Sequence, residues 1–508
     1  MRGFCRNVAI LFMLGMIASA AACGGDDDDN DGPPTDDDSA DDDSAADDLT
    51  DDDIGDDDDD TDRDDDSADD DTGDDDTGPY PSDYCAYFLT GEVDLEGDDA
   101  DGDGVPNGWD HCPNNPDEWL DSDRDGVGNF SDPDIDGDGI PNDEDSDRDG
   151  DAFDNGDEDD AGTDPDDPSS IPGLPRFDLD LGILNPEPGW YRGDLHIHTE
   201  YSHDSIAKLA WYFPMAEAAG FDFLWITDHR VFDAPFDPAW DQSELLLVPG
   251  IEWGGPGHAN MGGIRTDNTA VYEDADDVRR AWRVAKLQGA VQSLNHYGSD
   301  MDYWDALFDE APDLFDLLDV IEAWNVIWPF NGATNLPSVA LWEQLLSDGY
   351  RIGAVGGGDT HYVPAMHVSP TTVVWANSLS VPGILDGIRR GRTYITQADL
   401  LTFHGRPELE FRADADGDGE FEAMLGDEVA AGPITLRIEI LNAKGPVVLI
   451  RNGAEFARFT DHAPGEDVTY TAEDDASAGD WYRVEMRENG LPFSPMRLLS
   501  SAIYVAAE

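Results

Sequence analysis

Between residues 195 and 361 short apolar runs alternate with amphipathic stretches, and six of the runs end on side chains suited to a metal. The first is Leu195-His196-Ile197-His198, with Asp204 close behind. The next two span 223–229, ending Asp228-His229, and 245–252, ending Ile251-Glu252. Then come 291–296, ending Asn295-His296, the run Val320-Ile321-Glu322-Ala323-Trp324-Asn325, and 352–361, ending Asp359-Thr360-His361. Apolarity this continuous predicts strands buried on both faces, as in parallel sheets. The stretches 207–219, 275–287 and 337–346 between them carry helical spacing. Strands alternating with helices predict a β/α barrel over 185–404, with its working groups at the C-terminal strand ends. Beyond residue 405 the period changes to two. Segments 434–440, 447–450 and 481–486 alternate, with Asn452-Gly453 and Asn489-Gly490 as turns, which predicts a small β-sandwich over 405–508.

The first part of the chain has neither period. Residues 1–22 read as a processing signal: Arg2 and Arg6 precede the apolar stretch 8–18, and Ala20-Ala21-Ala22 lead into Cys23. The small residues before a cysteine, with Gly24-Gly25 after it, resemble a bacterial lipobox. That resemblance implies lipid on Cys23 and export to the outer membrane or cell surface of a Gram-negative bacterium. Residues 23–80 are almost wholly Asp, Ser, Ala, Thr and Gly, too polar and too like-charged for a packed core, and predict a disordered tether.

Over 81–170 the acidic residues become spaced. Asp99-x-Asp101-x-Asp103-Gly104, Asp121-x-Asp123-x-Asp125-Gly126, Asp134-x-Asp136-x-Asp138-Gly139 and Asp145-x-Asp147-x-Asp149-Gly150 each match the first half of a calcium loop. No Glu is evident at the closing offset, so helix–loop–helix sensors are not expected. With Asp110-His111-Cys112-Pro113, the segment resembles thrombospondin type 3 repeats, which implies bound Ca. A further loop of this kind is suggested by Asp414-x-Asp416-x-Asp418-Gly419. With Cys5 in the signal and Cys23 lipidated, Cys85 and Cys112 are left as the default disulfide of an exported chain.

Acidic residues number 117 against 27 basic ones in 508 residues, a formal charge of -90. That excess speaks against duplex nucleic acid as a partner and for cations.

The order of the six runs resembles the polymerase-and-histidinol-phosphatase (PHP) superfamily of metallohydrolases. Trp190-Tyr191-Arg192-Gly193-Asp194-Leu195-His196-Ile197-His198-Thr199 is most similar to its carbaryl-hydrolase-like branch. The resemblance implies a distorted barrel of seven β/α units carrying two or three divalent transition metals, Zn, Mn or Fe. One would be held by His196, His198, Glu252 and Asp359. Glu252 would bridge to a second, also bound by His296, and Asp204, His229 and His361 would hold a third. Asn325 stands where trinuclear members place a histidine, and His258 either completes that site or contacts substrate. Two metals sharing a carboxylate lower the pKa of a water between them. The expected activity is hydrolysis of a small phosphoester or nucleotide, with Asp359 orienting the hydroxide and Arg230 at the rim. Hydrolysis of a carboxyl ester or carbamate is the alternative, and an inactive calcium-stabilised adhesion protein is the alternative of another class.

Overall fold

The apolar runs lie in two sheets that meet around one centre, and not in a single closed ladder. The computed structural model describes residues 85, 111–112, 115, 118–123, 125–177, 183–255, 257–267, 274–326, 332–398, 405–488 and 496–507. The signal, Cys23, the tether and Asp99, Asp101 and Asp103 lie outside the described residues.

Among its described residues the acidic segment folds by turns, with one short helix, α1 (Asn155–Ala161). Cys85 and Cys112 are joined by a disulfide, and Cys85 N–H donates to the Gly126 carbonyl. The bonds of the segment recur every thirteen residues. Asp121, Asp134 and Asp147 each accept at Oδ2 the N–H of the residue five further on: Gly126, Gly139 and Ala152. Those three residues have φ of 98°, 91° and 79°, a conformation that only glycine takes without strain. Asn129, Asn142 and Asn155 each accept the N–H of Ser122, Ile135 and Arg148 across the same turn. The expected unit 145–150 is therefore not a loop of its own. Asp145 is the twelfth residue of the loop that starts at Asp134, and the third loop starts at Asp147. The twelfth positions are Asp132, Asp145 and Glu158, so a carboxylate does stand at the closing offset.

The segment rests on the barrel. Arg283 donates to the Asp136 carbonyl, Thr266 Oγ1 donates to Ser169 O, and the Phe177 ring meets Phe232, Phe236 and Trp240 edge-on.

The barrel opens with β1 (Gly189–Ile197), α2 (Leu209–Ala219), β2 (Phe223–Ile226) and β3 (Asp228–His229). β4 (Leu246–Val248), β5 (Gly250–Gly254), β6 (His258–Gly262), α3 (Ala275–Leu287) and β7 (Val291–Leu294) follow. α4 (Met301–Glu310), β8 (Val320–Asn325), α5 (Gly332–Ser347), β9 (Gly353–Gly357), β10 (Thr371–Ala376), α6 (Val381–Arg389) and β11 (Thr393–Thr396) complete it. α3 shows why such stretches become helices. The Asp274 carboxylate caps the N–H groups of Asp276 and Asp277, and Val278, Ala281, Trp282 and Ala285 bury one face.

β4, β2, β1, β10 and β11 lie side by side in one sheet, and β3, β5, β6, β7, β8 and β9 in the other. The chain crosses between them at Thr227, and on the far side a bridge pairs Ile197 with Thr360. Five neighbouring pairs are parallel: β1/β2, β2/β4, β3/β5, β7/β8 and β8/β9. β6 and β10 run against their neighbours, so seven regular β/α units are not formed. The cause at β6 is the short link 255–257, which can only turn a strand back on itself.

The C-terminal region contributes β12 (Glu408–Asp414), β13 (Glu428–Val429), β14 (Gly432–Ala443), β15 (Val447–Arg451) and β16 (Ala454–Phe459). β17 (Glu466–Ala476), β18 (Trp481–Arg487), β19 (Met496–Ser500) and β20 (Ile503–Val505) end it. β12, β14 and β17 form one layer. The second layer is not separate: β19 pairs with β11, so the barrel's own sheet runs on through β18, β20 and β13. Ile434, Leu436, Ile438 and Ile440 bury one face of β14 against Leu449, Val484 and Met486, together with Val373 and Tyr394 of the barrel. The expected boundary at 404/405 thus crosses a continuous sheet.

Candidate metal centre

His196, His198, Asp204, His229, Glu252, His296, Asp359 and His361 reach one place because the strands end there. His196 and His198 leave the end of β1 on the same face, two residues apart. Their backbone is tied to the last run: Thr360 N–H donates to His196 O (3.1 Å) and His198 N–H to Thr360 O (3.2 Å). That pairing brings Asp359 and His361 alongside. Gly357 allows the approach, since a Cβ there would collide with His196 Cβ and Glu322 Oε1. Arg230, His296 and Asp359 have φ of 52°, 24° and 46°, backbone strain at three strand ends of the kind that gathers at functional sites.

Three clusters result. His196 Nε2 lies 3.0 Å from Glu252 Oε1, and His198 Nε2 is 3.3 Å from both Glu252 Oε2 and Asp359 Oδ1. Glu252 Oε1 is also 3.1 Å from His296 Nε2 and 3.3 Å from His258 Nδ1. Asp204 Oδ2 is 2.6 Å from His361 Nε2 and 3.2 Å from His229 Nε2, while His229 Nδ1 reaches back to Glu252 Oε2 at 3.1 Å. Glu252 is thus the common member of the first two clusters and touches the third.

These contacts are close, yet the buried His196 Nε2, His198 Nε2 and Glu252 Oε2 have no aligned hydrogen-bond partner. Atoms aimed at a shared point and not at each other fit a cation between them. The other ring nitrogens agree. Nδ1 of His196 donates to Glu322 Oε1 (3.1 Å), of His296 to Asp300 Oδ2 (3.1 Å), and of His361 to Asp359 O (3.0 Å). His198 Nδ1 pairs with Ser202 Oγ (3.2 Å). In all four, Nε2 is left for the centre, the habit of metal-ligating histidine.

The electrostatics point the same way. Burial opposes ionisation of Glu252, but His196, His258 and His229 around it hold its carboxyl well below the usual range. Burial also opposes protonation of His361, yet Asp204 and Asp359 draw it up to about 9. Burial beside His361 pushes His198 down to about 3. The carboxylates thus favour protons on His196, His229, His296 and His361 but not on His198, and a metal would replace those protons.

Glu322, Asp300, Ser202 and Asp194 are supports that escaped the sequence analysis, whereas Asp228 and Asn295, each preceding a ligand in its run, are expected as supports from the sequence. Glu322 holds His196, accepts the His296 N–H and accepts from Asn325 Nδ2 (3.0 Å). Its visible signal was its place in an otherwise apolar strand. Asp300 braces His296, and Ser202 Oγ donates to Asp204 (2.9 Å). Asp194 accepts the N–H groups of His196 and Gly358, and Asp228 fixes Thr199. Asn295 Nδ2 donates to Glu252 Oε1 (3.0 Å).

His258, Asn325 and Arg230 take different places around the second cluster and the rim. His258, on the unforeseen strand β6, stands 3.4 Å from His296 Nε2 and so joins Glu252 and His296. Asn325 Nδ2 donates to Glu322 Oε2 (3.0 Å) and stands 3.5 Å from Asp359 Oδ2, beside the first cluster. Arg230 is exposed at the rim, its N–H bonded to the Glu252 carbonyl, and the His203 ring lies 5.2 Å from that of His229.

No family model and no curated protein sequence matches the chain. Among solved structures, a two-domain protein of Bacteroides vulgatus containing a predicted PHP-like metal-dependent phosphoesterase is 20% identical. Its TM-score is 0.37, over 65% of this chain and 99% of that one. PsfC from Pseudomonas syringae is 17% identical, with a TM-score of 0.28 over 37% of this chain and 83% of its own. A candidate metal-dependent phosphoesterase of Bifidobacterium adolescentis is 15% identical, with a TM-score of 0.23 over 34% and 87%. Likenesses this distant carry no argument about the chemistry, which rests on the side chains above.

Proposed function

We propose that the chain is a PHP-type metal-dependent phosphoesterase acting on a small phosphoester, held outside the cell by lipid on Cys23. The observation that carries this reading is the set of buried, partnerless ligand atoms sharing Glu252. The donors fit divalent transition metals, because imidazole and carboxylate alternate and no thiol takes part. His196, His198, Glu252 and Asp359 would hold one, Glu252, His258 and His296 a second, and Asp204, His229 and His361 a third. Such metals supply Lewis-acid polarisation of a phosphoryl oxygen and a water made nucleophilic near neutral pH.

The chain's own residues do the rest. Glu322, Asp300 and Ser202 fix the tautomers and ring orientations of His196, His296 and His198. Asp359 is 23% exposed against 1% for Glu252, so of the two carboxylates in the first cluster its is the one open enough to accept a hydrogen bond from an entering water. Arg230 and His203 stand exposed on the side of His229 and His361. An arginine at the rim of so acidic a chain favours an anionic substrate over a neutral ester.

The test is to assay the purified protein with nitrophenyl phosphate, bis-nitrophenyl phosphate and nitrophenyl acetate. Turnover of a phosphate substrate, lost on metal chelation and restored by Zn or Mn, is expected. Turnover of the acetate alone would overturn the phosphoester reading in favour of a carboxyl ester hydrolase. No turnover in the metal-loaded protein would favour the adhesion alternative.

A further inference from the structure

The barrel carries its exposed apolar side chains on one face. Among the described residues from β1 to β11, the large ones are Ile206, Trp211, Phe236, Met301 and Tyr362. Each stands on the loop or first helical turn that follows a candidate ligand. Ile206 and Trp211 come after Asp204, Phe236 after His229, Met301 after His296 and Tyr362 after His361. Exposed apolar residues scattered singly are ordinary, but a gathering of them at the mouth of a site marks a surface that meets something. Two of them are held together. Asp204 Oδ2 meets His361 Nε2 at 2.6 Å, and Ser205 Oγ lies 3.1 Å from His198 O and 3.4 Å from His361 O. The backbone leading into Ile206 is thereby tied to the backbone leading into Tyr362. Tyr212 Oη secures the same place from α2, donating to His198 O (2.7 Å) and Thr360 O (2.8 Å). On this fixed backbone Ile206 is 85% exposed and Tyr362 52%. Their charged neighbour Lys208 is drawn to Glu200 at 2.9 Å.

We propose that Ile206 and Tyr362 form a platform beside the third cluster for the organic group of the substrate, and that this group is a flat apolar one such as an aromatic ring. The inference rests on the phosphoester reading and adds to it what the phosphate is attached to. The anionic head of the substrate belongs with the ligand clusters and Arg230. The group it carries has to leave that charged centre, and Ile206 and Tyr362 are the exposed apolar side chains set one or two residues from ligands of the third cluster. A ring laid on them is removed from water together with the two side chains, which is favourable in proportion to the apolar area covered. Tyrosine suits the task, because its ring is rigid and gains further from contact with another aromatic face. Two side chains cover a single ring, far short of the roughly 800 Å² per partner of a stable protein interface, so a small molecule fits here better than a second protein.

The experiment compares two ligands that are not hydrolysed and share one anionic head, phenylphosphonate and methylphosphonate. Each is titrated by isothermal calorimetry into the full-length protein loaded with Zn. Phenylphosphonate should bind the parent about fivefold tighter or more, and the ratio should fall below about twofold in Tyr362→Ser and in Ile206→Ser. Leu441→Ser, which removes an exposed apolar side chain from β14, should keep the ratio of the parent. Equal affinity of the parent for the two ligands overturns the platform and leaves the phosphoester reading standing. So does a ratio that survives in both Tyr362→Ser and Ile206→Ser. Failure of either phosphonate to bind, with nitrophenyl acetate turned over, overturns the phosphoester reading and the platform with it.

Discussion

The barrel centre and the acidic loops both collect buried polar atoms that face one another without hydrogen bonds, and they do so by opposite routes. The barrel draws on strands from His196 to His361, each anchored in an apolar core that includes Trp225, Ile251, Leu294 and Val355. The loop 147–158 draws on twelve consecutive residues. Around it, the buried apolar side chains of the described segment before the barrel are Cys85, Cys112, Ile135 and Ile171. A site assembled by long-range packing is prepared before its ion arrives. One assembled locally, with so little apolar area to bury, depends on the ion for its order.

The sharpest break of this comparison is to remove ligands from each side. Replacing His196 and His198 together by Ala should abolish hydrolysis and empty the first cluster. The loss should exceed the roughly 10–100-fold that deletion of an outer partner costs. Calcium binding and the protease resistance of 111–177 should stay unchanged. Full transition-metal content in that double variant, by emission spectroscopy, would sink the ligand assignment.

Calcium chelation should do the reverse, loosening 111–177 while the barrel keeps its secondary structure. The effect has a pH sign. Asp149, Asp151 and Glu158 sit above their ordinary values in the folded loop. Folding therefore retains protons that the unfolded chain releases above about pH 4. Calcium-free stability of the loop is greatest below that pH and falls as pH rises toward 9. In EGTA, tryptic cleavage near Arg148, measured against an unfolded peptide, should be faster at pH 8.5 than at pH 6. With calcium it should be slow at both.

Within the barrel, His258→Ala should remove an equivalent of metal or weaken one site about tenfold or more. Asn325→Ala should leave stoichiometry intact and lower affinity only through Glu322. Equal losses in the two variants, by metal titration, would restore Asn325 as a ligand. The smallest effect is expected from Ala152→Gly. Relieving the left-handed alanine should stabilise the loop by about 1 kcal/mol and tighten calcium modestly, as a higher melting temperature would show.

Much of this was legible in the sequence for a definite reason. Strands buried on both faces leave long apolar signatures, so the polar residue that ends each one stands out, as His198, Glu252 and Asp359 do. His258 did not stand out, because His258-Ala259-Asn260-Met261-Gly262 is short and mixed, and its direction is set by a tight link. Glu322 lay in plain view, but its partner His196 is 126 residues away. The loop register was ambiguous in principle: with Asp at every second position from Asp145 to Asp151, composition fits two frames. The backbone N–H donated to Asp147 by Ala152, and the positive φ there, select one. The period of two after residue 405 gave strands, but periodicity says nothing about which strand becomes whose neighbour.

The pairing of β11 with β19 has a consequence for how this molecule can be divided. Thr396, Ile395 and Tyr394 use β19 as their hydrogen-bonding neighbour, and Val373 and Tyr394 shelter beneath the layer of β14. A chain ending near residue 404 would expose a raw strand edge beside an uncovered oily surface, the combination that templates aggregation. Recombinant work on the metal centre should therefore keep the last hundred residues, however dispensable a sequence alignment of the barrel alone would make them look. The same logic applies to the C-terminal strands, which are not a detachable appendage, because their second layer is continuous with the barrel's own sheet through β11 and β19.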